Sequence, residues 1–166
     1  MKSKTQDIDL GFESILQDLE TLSLTNVDVG YFDDGTMSDD GEMEMLDLAS
    51  LQLNGSTDYD RSRGVHIPKR NFMDKTAVDY QEDLANLQQN LVGNLIDKKV
   101  FAIQGSIAVG EVYADFMKAS IDAFDKPPNV DWWADAKGEN NPLVDSGKMR
   151  DSIKVEVTVD RLESDY

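Results

Sequence analysis

The sequence predicts an α+β protein in which a small, mostly antiparallel sheet packs against a long helical hairpin. Two apolar stripes at helical spacing fill the middle of the chain, between about residues 71 and 124. Two short segments towards opposite ends, 26–32 and 152–159, alternate apolar and polar residues as strands do. Because one strand is not stable alone, we expect the two to pair, with each other or with further short strands or neighbouring subunits.

The first third of the chain predicts a helix, a strand, a turn and a second helix. Residues 11–23 carry apolar side chains at helical spacing, which indicates a short amphipathic helix. The strand 26–32 follows, and the Asp- and Gly-rich stretch 33–41 is typical of a polar turn. Helical spacing returns over 43–53, and Asn54-Gly55 predicts the end of that helix.

The two central stripes predict the arms of the hairpin. The first helix is expected from Asn71 to Asp97 and the second up to the Pro127-Pro128 step, which a helix cannot continue through. The residues expected to be buried are Ala77, Tyr80, Leu84, Leu87, Leu91 and Leu95 on the first helix and Ile103, Ile107, Gly110, Ala114, Met117, Ile121 and Phe124 on the second. The small residues Gly105, Ala108 and Gly110 predict close packing of this helix against another helix.

The excess of acidic residues argues against a protein that binds DNA tightly. The chain has 33 acidic and 16 basic residues, a formal net charge of −17, and residues 1–63 are the most acidic part. Without a basic patch, we expect no tight grip on DNA. Two interpretations of the acids stay open: a solvated surface that keeps the monomer soluble, or the lining of a passage through which DNA slides.

The sequence carries no signature of an enzyme. It has no cysteine and one histidine, His66, so neither a thiolate or multi-histidine metal site nor a Ser-His-Asp triad is expected within one chain. The acidic stretch 33–42 does not match a calcium-binding loop, and no glycine-rich phosphate loop occurs. We expect no cofactor, metal or small-molecule substrate.

The polar residues 1–10 resemble no signal peptide, and no apolar run is long enough to span a membrane, so we expect a soluble protein made in the cytoplasm.

Two motifs, far apart in the chain, carry a resemblance to a known family. Residues 142–153 read Pro-Leu-Val-Asp-Ser-Gly-Lys-Met-Arg-Asp-Ser-Ile, and residues 67–72 read Ile-Pro-Lys-Arg-Asn-Phe. Together they resemble the Pro-Leu-(Val/Ile)-Asp-Thr-Gly and Ile-Pro-x-Arg-Pro-Phe segments of tailed-phage neck and tail-completion proteins of the virion-morphogenesis kind. The resemblance covers roughly residues 26–159. Asn71 stands where the family has proline, yet asparagine is a good helix N-cap, and Ser146 keeps the hydroxyl of the family's threonine.

The resemblance implies a structural virion protein that forms a ring, of six or twelve copies, at the head–tail neck or the tail terminus. Its expected partners are further copies of itself and the adjoining neck and tail proteins, while DNA passes nearby without tight binding. It is expected in the virion, and in the host cytoplasm during assembly. The residues expected to serve assembly and structure are Ile67, Pro68, Arg70, Phe72, Trp132, Trp133, Pro142, Leu143, Asp145, Gly147, Met149 and Ile153.

The predicted organisation is an acidic N-terminal arm, residues 1–25, followed by a single α+β domain, residues 26–166. The arm lies outside the resemblance and is expected to dock on a neighbour or to remain partly disordered. For contact with a neighbour, the expected surface is residues 143–153 together with Trp132 or Trp133. The alternative function is an acidic interaction module, such as a DNA mimic or an inhibitor of a host factor, which rests on the net charge alone.

Overall fold

A computed structural model of the chain describes residues 11–56, 66–129, 135 and 141–160. Within these ranges the main elements are six helices and two strands, which confirms the predicted α+β class. The elements in chain order are α1 (Phe12–Ser23), β1 (Thr25–Gly30), α2 (Met45–Asn54), α3 (Phe72–Asp79), α4 (Gln81–Ile96), α5 (Ala102–Asp122), α6 (Lys148–Asp151) and β2 (Lys154–Val159).

The two strands from opposite ends of the chain pair with each other, which is one of the pairings that the sequence left open. β1 and β2 are antiparallel, from the pair Thr25–Val159 at one end to Gly30–Lys154 at the other. Both predicted ranges are slightly too long. Tyr31 already turns into the core, where only 9% of its surface remains exposed, and Ser152 still caps the C-terminus of α6.

Helix α5 is the central element of the fold. The sheet packs on one side of α5, and α3 and α4 pack on other parts of its circumference. A Cβ atom on Gly110 would lie only 2.6 Å from Cγ1 of Val155 and 2.8 Å from Cγ1 of Val27. The absence of a side chain at Gly110 therefore lets the sheet lie directly on the α5 backbone, whereas the sequence predicted close packing of another helix at this glycine.

The expectation that both arms of the hairpin cover the sheet was wrong. The sheet has extensive contacts with α5 alone among the hairpin helices. Two strands about 4.8 Å apart present a surface no wider than one helix of about 10 Å diameter. One helix is enough to cover it, and the other arm packs elsewhere on α5.

The predicted hairpin forms between α4 and α5. Its contact is close at Gly105, where an added Cβ would lie 2.1 Å from Cδ1 of Leu91. Leu91, Leu95 and Ala102 form a small buried cluster at this end of the molecule. Two leucines of α1, Leu19 and Leu22, pack against the same cluster.

The predicted continuous helix over residues 71–97 is in fact broken at Tyr80. Tyr80 leaves helical geometry, with φ −111° and ψ 18°, and its ring stacks on Phe116 of α5 with centroids 4.3 Å apart. On α3 the buried residues are Phe72 and Thr76, whereas the expected Ala77 is exposed. The break lets α3 face the main core while α4 faces the Leu91 cluster.

The buried face of α5 near its start also differs from the prediction. Ile103 and Ile107 are 43% and 38% exposed, and the buried side carries the small residues Ala102, Gly105 and Ser106 instead. Close packing of α4 and α1 selects small side chains there, which a search for large apolar residues passes over. From Gly110 onwards the predicted stripe is correct, since Ala114, Met117, Ile121 and Phe124 are buried.

The described part of the predicted N-terminal arm is helical. Residues 12–23 form α1, which contacts α4 and α5. On its outer side, Phe12 and Leu16 are 66% and 48% exposed. Within the described ranges, every helix is too short or too polar to cross the hydrocarbon core of a bilayer.

Candidate functional site

The two sequence motifs meet at the C-terminal end of α5. Arg70 of the first motif is 6% exposed, and its Nη2 donates to Oδ1 of Asn129 at 3.3 Å. Nδ2 of Asn129 in turn donates to the backbone carbonyl of Asn141 at 3.3 Å, immediately before the second motif. We call Arg70, Asn129 and Asn141 the motif junction, because they connect segments about 70 residues apart in the chain.

Arg70 is the centre of this junction. Its guanidinium donates to the carbonyls of Pro127 and Pro128, both at 3.3 Å, and to Oε1 of Gln52 at 2.7 Å. Its backbone N–H also donates to the carbonyl of Gln52 at 2.7 Å. The described acceptors are neutral oxygens, and burial lowers the pKa of the Arg70 guanidinium. An arginine side chain remains charged in spite of such a shift. Through these bonds, Arg70 connects the first motif to α2 and to the segment after α5.

Asn141 holds the second motif against the end of α5. Its Nδ2 donates to the carbonyls of Ile121 and Asp122, at 3.2 and 2.7 Å, in the last turn of α5. Its Oδ1 accepts from the backbone N–H groups of Leu143 and Val144, at 2.9 and 3.1 Å. One side chain therefore caps α5 and shapes the turn that starts the motif.

The first motif enters α3 as predicted. Asn71 is the N-cap, and its Oδ1 accepts from the backbone N–H of Asp74 at 3.0 Å. Phe72 is fully buried, and its ring meets that of Tyr31 edge to face at a centroid distance of 6.3 Å. Ile67 and Pro68 are half-buried, and the carbonyl of Ile67 accepts from the N–H of Ser56 at 2.9 Å. This segment is structural.

The second motif is also mostly buried. Leu143, Met149 and Ile153 belong to the main core, and Pro142 is buried. Gly147 has φ 86°, in the left-handed region that suits glycine, and it precedes α6. Oγ of Ser146 accepts from the N–H of Lys148, the first residue of α6, at 3.1 Å. In the folded chain, these apolar side chains are not available to a neighbour.

Of the other predicted site residues, Asp145 is exposed, at the tip of the second motif. Trp132 and Trp133 lie outside the described residues. Asn129 and Asn141, by contrast, were not among the predicted site residues. An Asn-Pro step is a known signal of turn initiation, so Asn141 could have been found from the sequence. Asn129 has no comparable local signal.

Basic residues of the second motif region hold the acidic turn 33–41. Lys154 pairs with Asp34, and Nζ of Lys148 donates to the carbonyl of Ser38 at 3.4 Å. Oγ of Ser146 also bonds to Asp39. The hydrogen bonds from Lys154 and Thr36 lower the pKa of Asp34 to about 2. Part of the acidic turn is thus engaged with the chain's own cations.

A second set of ion pairs lies on the other side of α6. Arg150 contacts Asp122 at 3.2 Å and Asp151 at 2.8 Å. These hydrogen bonds raise the pKa of Arg150, and the bond from Arg150 lowers the pKa of Asp151. The pairs are solvent-exposed and contribute little to stability each. They orient α6 across the end of α5.

An open groove runs along α5 beside the free side of β2. Its volume is about 800 Å³. We call it the β2 groove; it is lined by Ile107, Glu111, Ala114, Asp115 and Lys118 of α5 and by residues 153–155 and Val157. Within the described ranges, the sheet ends at β2, so the groove occupies the place that a third strand would take on α5.

No group of acidic, histidine or cysteine side chains among the described residues could hold a metal ion. The acidic turn therefore offers no described cation site. The arrangement that remains is a buried framework of motif residues with an exposed groove and strand edge next to it. Such surfaces bind other polypeptides.

No family model, curated protein or solved structure matches this chain.

Proposed function

We propose that this protein is a structural component of a tailed-phage virion that forms a ring at the head–tail neck or the tail terminus. The observation that carries the proposal is the motif junction. Two segments that resemble neck and tail-completion proteins, and that lie far apart in the sequence, are held together through Arg70, Asn129 and Asn141. A chance resemblance of two short segments would give no reason for them to share one partly buried network.

The shape of the surface also supports assembly. β2 leaves one edge uncovered within the described residues, and a groove with apolar and charged walls runs beside it. Sheet edges of this kind are completed by strands of other chains. A closed ring needs two different surfaces on each subunit that fit one another, and the β2 groove is one candidate.

We propose further that the protein acts without catalysis and without a cofactor, and that its partners are copies of itself and adjoining neck or tail proteins. The net charge of −17 supports passage of DNA nearby without tight binding. The alternative of a DNA mimic is less well supported, because Asp34 and Asp39 of the acidic turn contact lysines and a serine of the same chain.

Negative-stain electron microscopy of the purified full-length chain tests the proposal. The proposal predicts closed rings of uniform diameter, built from a fixed number of copies. Particles that remain monomeric up to high protein concentration, or open filaments without rings, would argue against a ring-forming virion protein.

A further inference from the structure

The backbone of β2 has an edge that faces away from β1. Asp160 N–H donates to the carbonyl of Leu24 at 2.8 Å, one step beyond the Thr25–Val159 pair of the ladder. Bonded and non-bonded pairs alternate in an antiparallel ladder. The backbone groups of Val155, Val157 and Val159 therefore point away from β1, above the β2 groove.

The side chains of β2 show which kind of strand would fit next to it. Val155 and Val157 are half-buried towards α5, while Lys154, Glu156 and Thr158 are exposed. An added strand should likewise place apolar residues towards α5 and polar residues towards water. On α5, Ile107 offers an apolar contact, 38% exposed, and Glu111 and Asp115 offer carboxylates further along the groove. Asp115 already accepts from Lys118 Nζ at 3.4 Å, but its side chain is 74% exposed and can share a second cation.

The second half of residues 1–10 has a sequence that matches this requirement. Ile8 and Leu10 fall on one side of an extended strand, and Asp7 and Asp9 fall on the other. The first half adds polar residues to the Ile8 side, namely Lys2, Lys4 and Gln6. With Ile8 on Ile107, Lys4 would lie about 13 Å along the groove, at about 3.3 Å per strand residue. Asp115 lies about 12 Å from Ile107 along α5, at 1.5 Å per helical residue. The two distances agree, so the ammonium group of Lys4 would lie beside the carboxylate of Asp115.

We propose that residues 1–10 of a neighbouring copy bind in the β2 groove as an added strand. This inference rests on the proposed ring function, because it supplies the contact between successive subunits. Ile8 packs on Ile107, and Lys4 pairs with Asp115. The backbone of the added strand forms hydrogen bonds with the outward-facing N–H and C=O groups of Val155 and Val157.

The position of α1 favours a neighbouring copy over the same chain. α1 packs near Ala102 and Val109 of α5, whereas the groove follows Ile107, Glu111 and Lys118. At 100° per residue, these two faces of α5 are roughly 170° apart. A segment joined to α1 would use several of its ten residues to pass around α5, and Ile8 would not reach Ile107 in line with Asp115.

Disulfide trapping in the full-length chain tests this contact directly. The protein has no cysteine, so Ile8→Cys combined with Ile107→Cys introduces the sole possible pair per subunit. After mild oxidation, we expect a ladder of covalent oligomers on a non-reducing gel. The control combines Ile8→Cys with Val78→Cys, a 73% exposed position on α3, and should give no ladder. A disulfide within one chain, or no disulfide at all, would overturn the inference.

Charge reversal provides an independent measurement. Lys4→Glu should raise the protein concentration needed for half-maximal assembly about fivefold. Asp115→Lys should do the same, and the two changes together should restore the original value. The control Asp83→Lys, an exposed carboxylate on α4, should leave assembly unchanged. Two single effects without mutual rescue would contradict the pairing of Lys4 with Asp115.

Failure of this inference can be told apart from failure of the proposed function. Closed rings in the microscope without the Ile8–Ile107 disulfide would overturn the arm contact and leave the ring function in place. Disulfide-linked oligomers that never close into rings would overturn the ring function and leave the arm contact in place.

Discussion

Arg70 shows how a single residue can hold distant parts of this chain together. Its guanidinium has described bonds to four neutral acceptors, two of them backbone carbonyls that follow α5. The fixed geometry of a guanidinium can serve several acceptors at once. Lysine could not reproduce this arrangement, since its three donors radiate from one point.

At the residue scale, Phe72→Ala should be strongly destabilising. The Phe72 ring is fully buried and packs edge to face on Tyr31. Truncating a fully buried phenylalanine costs about 3–5 kcal/mol of unfolding free energy. Urea unfolding followed by circular dichroism measures the loss. Phe101→Ala is the control, because Phe101 is 67% exposed and should change stability by less than about 0.5 kcal/mol. A loss under about 1 kcal/mol for Phe72→Ala would contradict its role in the core.

The Asp34 carboxyl should titrate well below its ordinary range. Hydrogen bonds from Lys154 and Thr36 lower its pKa to about 2. A lowered folded-state pKa stabilises the fold above the ordinary value of 3.8, and this contribution is lost as pH falls towards about 2. In Lys154→Met, the pKa of Asp34 measured by NMR should rise towards its ordinary value. An unchanged pKa in that variant would show that Lys154 is not its main cause.

Sequence reasoning at this scale succeeded where a residue has a local role. The N-cap at Asn71 follows from that residue and its immediate neighbours. The network of Arg70 and Asn129 could not be predicted, because its backbone and side-chain acceptors come from distant segments that only the fold brings together. Such contacts leave no pattern in the sequence.

At the scale of elements, glycines decide how closely the sheet and helices approach α5. An added methyl group at Gly110 would lie 2.6 Å from Val155 Cγ1 and 2.8 Å from Val27 Cγ1, so the sheet would have to move. The spacing of small residues on α5 predicted this closeness but not its partner. The break at Tyr80 was missed because the apolar stripe continues through it. The break follows from the packing of α3 and α4 against two separate hydrophobic clusters.

Gly110→Ala should therefore destabilise the protein, whereas Gly93→Ala should not. Overpacking of this kind costs about 1–3 kcal/mol. Gly93 is also inside a helix, but an added Cβ there meets nothing within 4 Å. Since alanine is the better helix former, Gly93→Ala should gain about 0.5–1 kcal/mol. Thermal and urea unfolding of the two variants provide the comparison. Equal effects would contradict the close contact between α5 and the sheet.

At the scale of the whole molecule, charge and architecture serve different purposes. The fold class followed from periodicity alone, because alternation and helical stripes are long-range patterns. The same periodicity left open whether the chain's two ends pair with each other or with other strands. The net charge of −17 has no part in forming the core. It governs which partners can approach, and on this account it disfavours DNA.

The isolated protein should not bind duplex DNA tightly at moderate salt. Binding to phosphates is driven by release of counterions from a basic surface, and Lys148, Arg150 and Lys154 are paired with acids of the same chain. A gel-shift titration should show no complex at micromolar protein concentration. The matched control is the same duplex with a basic DNA-binding protein. Sub-micromolar affinity would contradict this account of the acidic surface.

The central claim is that the chain assembles into a closed ring, and native mass spectrometry over a range of concentrations tests it most directly. Closed rings predict one oligomer of fixed copy number, six or twelve, that gains in abundance with concentration while larger species remain absent. A monomer at every concentration, or a continuous series of oligomers without a preferred size, would contradict the claim.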